Sequence, residues 1–259
     1  MTDGWQQVIA DVVFSRGFAV IAAAVLLAGF LRGFIGFGAA LVSMPVISLV
    51  LGPTTAVAIV TIMGLPSTLQ LLPDAIRHGE PPIVVPMMLG VFAATPIGTM
   101  VLVSVDPGLM KIVISTIVVA MVAFLSAGWR LQSRVRASIL LLAGIIGGLV
   151  QGTAGMGGPP VVAVALAREG TPEQQRGNVL AVMTAISFSS VPPLLYFGLF
   201  TTQAMVCGIV LFPLYAGATW FGSRYFARNG KSHYRKAALA MLAIIGLTTL
   251  ALAILQAQT

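Results

Sequence analysis

The sequence predicts an all-α integral membrane protein made of two inverted repeats, each a broken-helix hairpin plus three transmembrane helices. Three observations predict it. The first is composition. Of 259 residues, 58% are hydrophobic and 8% charged, where soluble domains carry roughly 25% charged residues. The apolar residues also run in stretches long enough to cross a bilayer. The second is a break. Gln151-Gly152-Thr153-Ala154-Gly155-Met156-Gly157-Gly158-Pro159-Pro160 interrupts an apolar stretch with glycines and prolines that leave backbone groups without helical partners. In hydrocarbon such backbone survives only when buried in protein or lining a wet cavity. The third is repetition. A shift of 115 residues lays Leu26-Leu27-Ala28-Gly29 on Leu141-Leu142-Ala143-Gly144. The match continues through Gly33/Gly148, Ala39/Ala154, Pro45/Pro160 and Leu51/Leu166. The first copy is broken as well, at Gly33-Phe34-Ile35-Gly36-Phe37-Gly38.

Taken in order, residues 1–17 form an N-terminal interfacial segment, with Trp5 at headgroup level. Residues 18–131 form the first repeat of the membrane domain. Phe18–Ile35 is its first apolar run, broken at Gly36-Phe37-Gly38 and resumed over Ala39–Leu51. Thr54–Leu72 is the next helix, ended by Pro73, and Asp74–Pro82 reads as a polar loop. Ile83–Val105 and Leu109–Trp129 are spans separated by the Asp106-Pro107-Gly108 turn. Residues 132–259 form the second repeat. Ser138–Ala167 is its broken segment, and Arg168–Arg176 is a connector in which Thr171-Pro172 supplies an N-cap and a first helical residue. Gly177–Phe197 and Ala204–Tyr225 are spans, Arg228–Lys236 is a basic connector, and Ala237–Gln256 is the last helix. A shift of 119 pairs Pro53 with Pro172 and Gly79 with Gly198.

The basic residues choose between two threadings. If each broken segment crosses the membrane, the two halves demand opposite orientations. If each is a hairpin that enters and leaves on one side, the connectors at 73–82, 129–137, 167–176 and 223–236 share a face. That face holds Arg77, Arg130, Arg134, Arg136, Arg168, Arg176, Arg224, Arg228, Lys231, Arg235 and Lys236, and the other keeps Arg16 and Lys111. The positive-inside rule makes the first face cytoplasmic, placing both termini of a multi-pass membrane protein outside the cytoplasm. Hairpin plus three crossings is an odd unit, so the halves are inverted. Paired interrupted segments in inverted halves point to a transporter's binding site. The net charge of +7 belongs to this orientation signal and not to nucleic-acid binding.

The seven acidic residues, Asp3, Asp11, Asp74, Glu80, Asp106, Glu169 and Glu173, lie in termini or connectors, as do His78 and His233. The single cysteine, Cys207, lies in an apolar run. These positions disfavour an intramembrane enzyme, a metal or other cofactor site and a proton relay of the usual kind. An anion is better served. A return arm beginning near Ala39 or Gly158 offers helix N-terminal N–H groups and partial positive charge. Gly36, Phe37, Gly38, Ala39, Gln151, Thr153, Gly155, Met156, Gly157 and Gly158 are therefore the candidate binding residues. Gln151 and Thr153 would donate, and Phe37 and Met156 would wall the site. The competing reading is that these glycines only let helices pack closely. Arg32 either snorkels to the interface or faces a wet cavity and attracts anions. Gln70 and Asn178 join the candidates as intramembrane polar residues near where the hairpins should meet. Thr184 and Ser187 read as interhelical hydrogen-bonding groups.

The two glycine-rich breaks, with Pro45, Pro159 and Pro160, are similar to those of the TauE/SafE family of sulfite and organosulfonate exporters, over about Phe18 to Leu255. The resemblance implies an inner-membrane exporter of small sulfur-containing anions. The alternative class is a channel or assembly protein without alternating access. The expected partners are a small anionic substrate and the lipid bilayer, with room for a homo-oligomer.

Overall fold

In the computed structural model residues 16–126, 136–167 and 171–230 are described, and among them every regular element is a helix. The N-terminal interfacial segment, the basic connector before Arg136 and the expected last helix over 237–256 lie outside the described residues. Helix α1 spans Arg16–Ile35, α2 Ala39–Leu51, α3 Pro53–His78, α4 Pro81–Ser104, α5 Pro107–Ser126, α6 Ala137–Ala154, α7 Gly158–Ala167, α8 Pro172–Tyr196 and α9 Thr202–Tyr225; a π turn follows over Phe226–Gly230. Six helices, α1, α3, α4, α6, α8 and α9, are long and apolar enough to cross a membrane. The two arms that follow the breaks are not. With 13 residues in α2 and 10 in α7, they reach ~20 Å and ~15 Å at 1.5 Å per residue, short of a hydrocarbon core of about 30 Å.

Local chemistry explains the helix ends. Thr171 and Gln174 form a reciprocal capping box at the start of α8, with bonds of 3.2 and 3.0 Å, and Pro172 fills the first position. Asp106 Oδ1 accepts from the N–H groups of Gly108 and Leu109 and starts α5. Two expectations need correction. Pro73 does not end its helix: α3 continues to His78, so the loop expected over Asp74–Pro82 shrinks to Gly79 and Glu80. Proline forfeits one intrahelical bond and bends a helix, but packing of Leu71 and Ala75 against Leu180 of α8 holds the last turns in place. Arg176, expected in a basic connector, lies inside α8 and is buried.

Glycines set which helices touch. Gly29 and Gly33 of α1 lie against Tyr215–Ala218 and Thr219–Ser223 of α9, so these two helices run side by side in one direction. Gly90 and Gly98 of α4 meet Leu141–Ile145 and Leu149–Thr153 of α6 in the same manner. A side chain at any of these glycines would run into the partner's backbone, which is how small residues bring membrane helices together. Helices α3 and α8 instead run in opposite directions: Thr68 meets Ser187, Asp74 meets Arg176, and Glu80 meets Asn178. Their crossing lies at the centre of the bundle, and the two broken segments flank it.

Candidate functional site

The first break falls where the run was expected to be interrupted, and the second is shorter than the sequence implies. The first is Gly36-Phe37-Gly38. The second is Gly155-Met156-Gly157, because Gln151 to Ala154 remain helical at the end of α6. Gly38 (φ 89°) and Gly155 (φ 67°) take left-handed backbone angles that other residues rarely adopt. These angles turn the chain so that α2 and α7 each begin beside a shared cavity.

That cavity measures about 60 Å³ and is lined from both breaks: Arg32 and Gly38–Leu41 on one side, Gln151 and Gly155–Pro159 on the other. Val60, Thr61 and Gly64 of α3, Met183, Ile186 and Ser187 of α8, and Tyr215 of α9 complete it. By this measure it holds about four waters, or one compact ion of similar size. Among the described residues the lining contains no carboxylate and no histidine.

Arg32 dominates the electrostatics. It is 8% exposed and lines the cavity. Its Nη2 donates to Thr68 Oγ1 at 2.9 Å, its Nε has no partner, and no carboxylate pairs with it among the described residues. Thr68 is in turn 3.1 Å from Ser187 Oγ. A buried guanidinium without a counter-ion is costly, and an anion in the cavity would relieve that cost. The N-terminus of α2 adds to this, since it has no side-chain cap and its first residues line the same space. The N-terminus of α7 is poorer in donors, because Pro159 and Pro160 carry no N–H.

The other expected site residues divide. Gly38, Ala39, Gly155, Met156, Gly157 and Gly158 line the cavity with Arg32 and Gln151. Gln151 has a different task from the one expected. Its Oε1 accepts from the Gly157 N–H at 2.9 Å and its Nε2 donates to Ser190 Oγ at 3.0 Å, so the side chain braces the break. Gly36 packs on Val179 and Leu180, and Phe37 is fully buried in the core behind the cavity. Thr153 donates back to the Leu149 carbonyl at 2.6 Å. Gln70 is exposed on the outside of α3. Asn178 is at the far end of α8, where its amide accepts from the Glu80 N–H and donates to the Glu80 carboxylate. Neither of these two lines the cavity: Gln70 faces outward, and Asn178 is held by Glu80 next to Val179, on which Gly36 packs.

Sequence reasoning missed Thr61, Met183 and Tyr215. Tyr215 carried a readable signal: a tyrosine in the middle of an apolar run is displaced from the interfacial belt where tyrosines of membrane helices collect. Arg176 makes a second buried cluster beside the first break. It donates to Asp74 at 2.6 Å and to the Gly33 carbonyl at 2.9 Å, and its guanidinium lies 4.4 Å from the centre of the Phe226 ring. Gly33 is in the last turn of α1, where carbonyls lack helical donors, so Arg176 caps that helix.

Membrane-length helices arranged around two interrupted segments define a polytopic membrane protein of transporter build. The chain belongs to the sulfite exporter TauE/SafE family, whose model matches residues 21–249. That family consists of membrane exporters and not enzymes. No curated protein and no solved structure matches the chain.

Proposed function

We propose that the protein is a secondary exporter of small sulfur oxyanions and that the anion binds in the cavity between the two breaks, beside Arg32. One observation carries the reading: a buried arginine without a carboxylate partner lines a cavity into which both interrupted segments open. The first turn of α2 supplies backbone donors, and no acidic group on the lining repels the ligand. Among the described lining residues a cation would find no formal negative charge to meet it, and it would face Arg32.

The directions of the helices support an inverted arrangement of the halves. Helix α1 runs with α9, α6 runs with α4, and α3 opposes α8. If the short turn over Phe197–Thr201 reverses the chain, α9 runs with α3, and so does α1. An even number of reversals then separates α1 from α3, and α2 is a returning arm. Two such arms meeting at mid-membrane form the scaffold on which one half rocks against the other about a fixed site.

Purified protein in liposomes tests the site. Sulfite should enter saturably and show counterflow. Arg32→Ala should abolish uptake, Arg32→Lys should retain a fraction, and Arg77→Ala, on an exposed residue, should change nothing. Wild-type sulfite affinity in Arg32→Ala removes the assignment.

A further inference from the structure

Resting on that reading of the cavity, we infer that Tyr215 is a specificity-determining residue whose phenolic O–H donates to the bound anion from the same side as Arg32. Tyr215 is 3% exposed and lines the cavity. Its backbone abuts Gly29 of α1, one turn before Arg32, so the close packing of α1 and α9 brings the phenol to the arginine's side of the cavity.

The hydroxyl is uncommitted. The described residues contain three buried side-chain polar atoms that are both sealed off and unpartnered: Arg32 Nε, Ser67 Oγ and Arg176 Nε. Among the described residues the Tyr215 hydroxyl has no protein partner either, yet it is not sealed, and its side chain lines the cavity. A buried tyrosine O–H normally finds an acceptor. None of the neighbouring side chains supplies one, which leaves that place to a ligand.

The other hydroxyls on the lining cannot substitute for it. Thr61 Oγ1 donates its proton to the Val57 carbonyl at 2.8 Å. Ser187 Oγ donates to the Met183 carbonyl at 2.9 Å and also meets Thr68. Both are acceptors toward the cavity. The amide of Gln151 is engaged at both ends. Tyr215 is thus the lining hydroxyl with a proton to give, and an arginine and a phenol together demand two acceptor oxygens. Sulfite in its fully ionised form meets that demand. A ligand that presents an O–H or an ammonium toward these two groups does not.

The test is Tyr215→Phe, which deletes one oxygen and leaves the ring. With sodium sulfite as the probe in proteoliposomes, KM should rise about tenfold or more, Vmax should hold, and the melting temperature without sulfite should not fall. The saturating sulfite-induced rise in melting temperature should shrink in the same variant. Arg32→Ala is measured in parallel. If it abolishes sulfite binding while Tyr215→Phe keeps a wild-type KM, the role of Tyr215 is overturned and the site stands. If neither variant changes sulfite affinity, the anion binds elsewhere and both ideas fall. If Tyr215→Phe loses Vmax and melting temperature with KM unchanged, the phenol is structural and the inference is overturned.

Discussion

Gln151 holds the second break in shape. Its carbonyl end takes the N–H of Gly157 and its amide end reaches Ser190 on α8. Gln151→Ala would leave a buried N–H without an acceptor, at a cost of about 1–3 kcal/mol. We expect a lower melting temperature in detergent together with lost transport. Gln151→Glu separates the two roles. A carboxylate still accepts from Gly157, and from the Ser190 hydroxyl once that proton turns away from the Ile186 carbonyl, but it places a negative charge on the lining it shares with Arg32. That variant should stay closer to wild type in melting temperature and still fail to bind sulfite; normal sulfite binding would show that the cavity is not an anion site. The sequence offered Gln151 as a polar residue beside glycines, but could not say which of its bonds the break itself would claim. Thr153 was misjudged for a related reason: a helical threonine can satisfy itself on the carbonyl four residues back, and sequence does not distinguish that rotamer from one facing a ligand. Arg32 was left open between two faces; the structure buries it against Thr68, on the cavity lining.

Among the elements, the interrupted segments were legible because glycine and proline are strong local signals, whereas the length of the second break was not. Gly144, Gly147, Gly148 and Gly152 look like breakers in sequence, yet all four are helical in α6. Three of them, Gly144, Gly148 and Gly152, face the backbone of α4. The packing reading therefore holds for these glycines, and the ligand reading is left with those at the turns. The burial of Arg176 was hidden because its partners, Asp74 and the Gly33 carbonyl, are distant in sequence. Asp74→Asn should weaken the clamp that joins α1, α3 and α8. The loss should be smaller than the ~3–5 kcal/mol of a fully buried pair, because the Asp74 side chain is 50% exposed. Thermal unfolding in detergent measures it, and Arg77→Gln is the matched exposed control. An equal effect of the two substitutions would mean that the pair contributes nothing.

At the scale of the molecule, composition and apolar run length were enough to read a helical membrane protein. The positions of the cavity walls required knowing which helices touch. The orientation in the membrane is still a proposal from the basic residues. A reporter fused after Thr259 should be active in the periplasm and one after Ser133 in the cytoplasm; cytoplasmic activity of both would refute the hairpin threading. The cavity lining has no carboxylate or histidine to carry a proton, so export should follow the membrane potential. Moving one negative charge out of a cell that is negative inside gains about 2.3 kcal/mol per 100 mV. A tenfold concentration gradient costs about 1.4 kcal/mol. In proteoliposomes a potassium–valinomycin potential should drive an organosulfonate, which stays singly charged across this pH range, toward the positive side, and a pH gradient at zero potential should not.

The hydrogen bond between Thr68 and Ser187 has a consequence for the history of the chain. The two residues are 119 apart, the same offset that superposes Pro53 on Pro172, so each is the other's counterpart in the duplicated unit. A protein of half this length, pairing with a second copy of itself, would have had one residue at this place facing its own twin. Few side chains tolerate that meeting. Two carboxylates or two ammonium groups repel, while a hydroxyl both donates and accepts and so can bond to its own kind. Threonine or serine at such a spot would have let an ancestral homodimer close on itself before the two genes were joined. It also leaves a present-day trace: Ser187→Thr and Thr68→Ser, each of which restores identity between the twins, should both be tolerated.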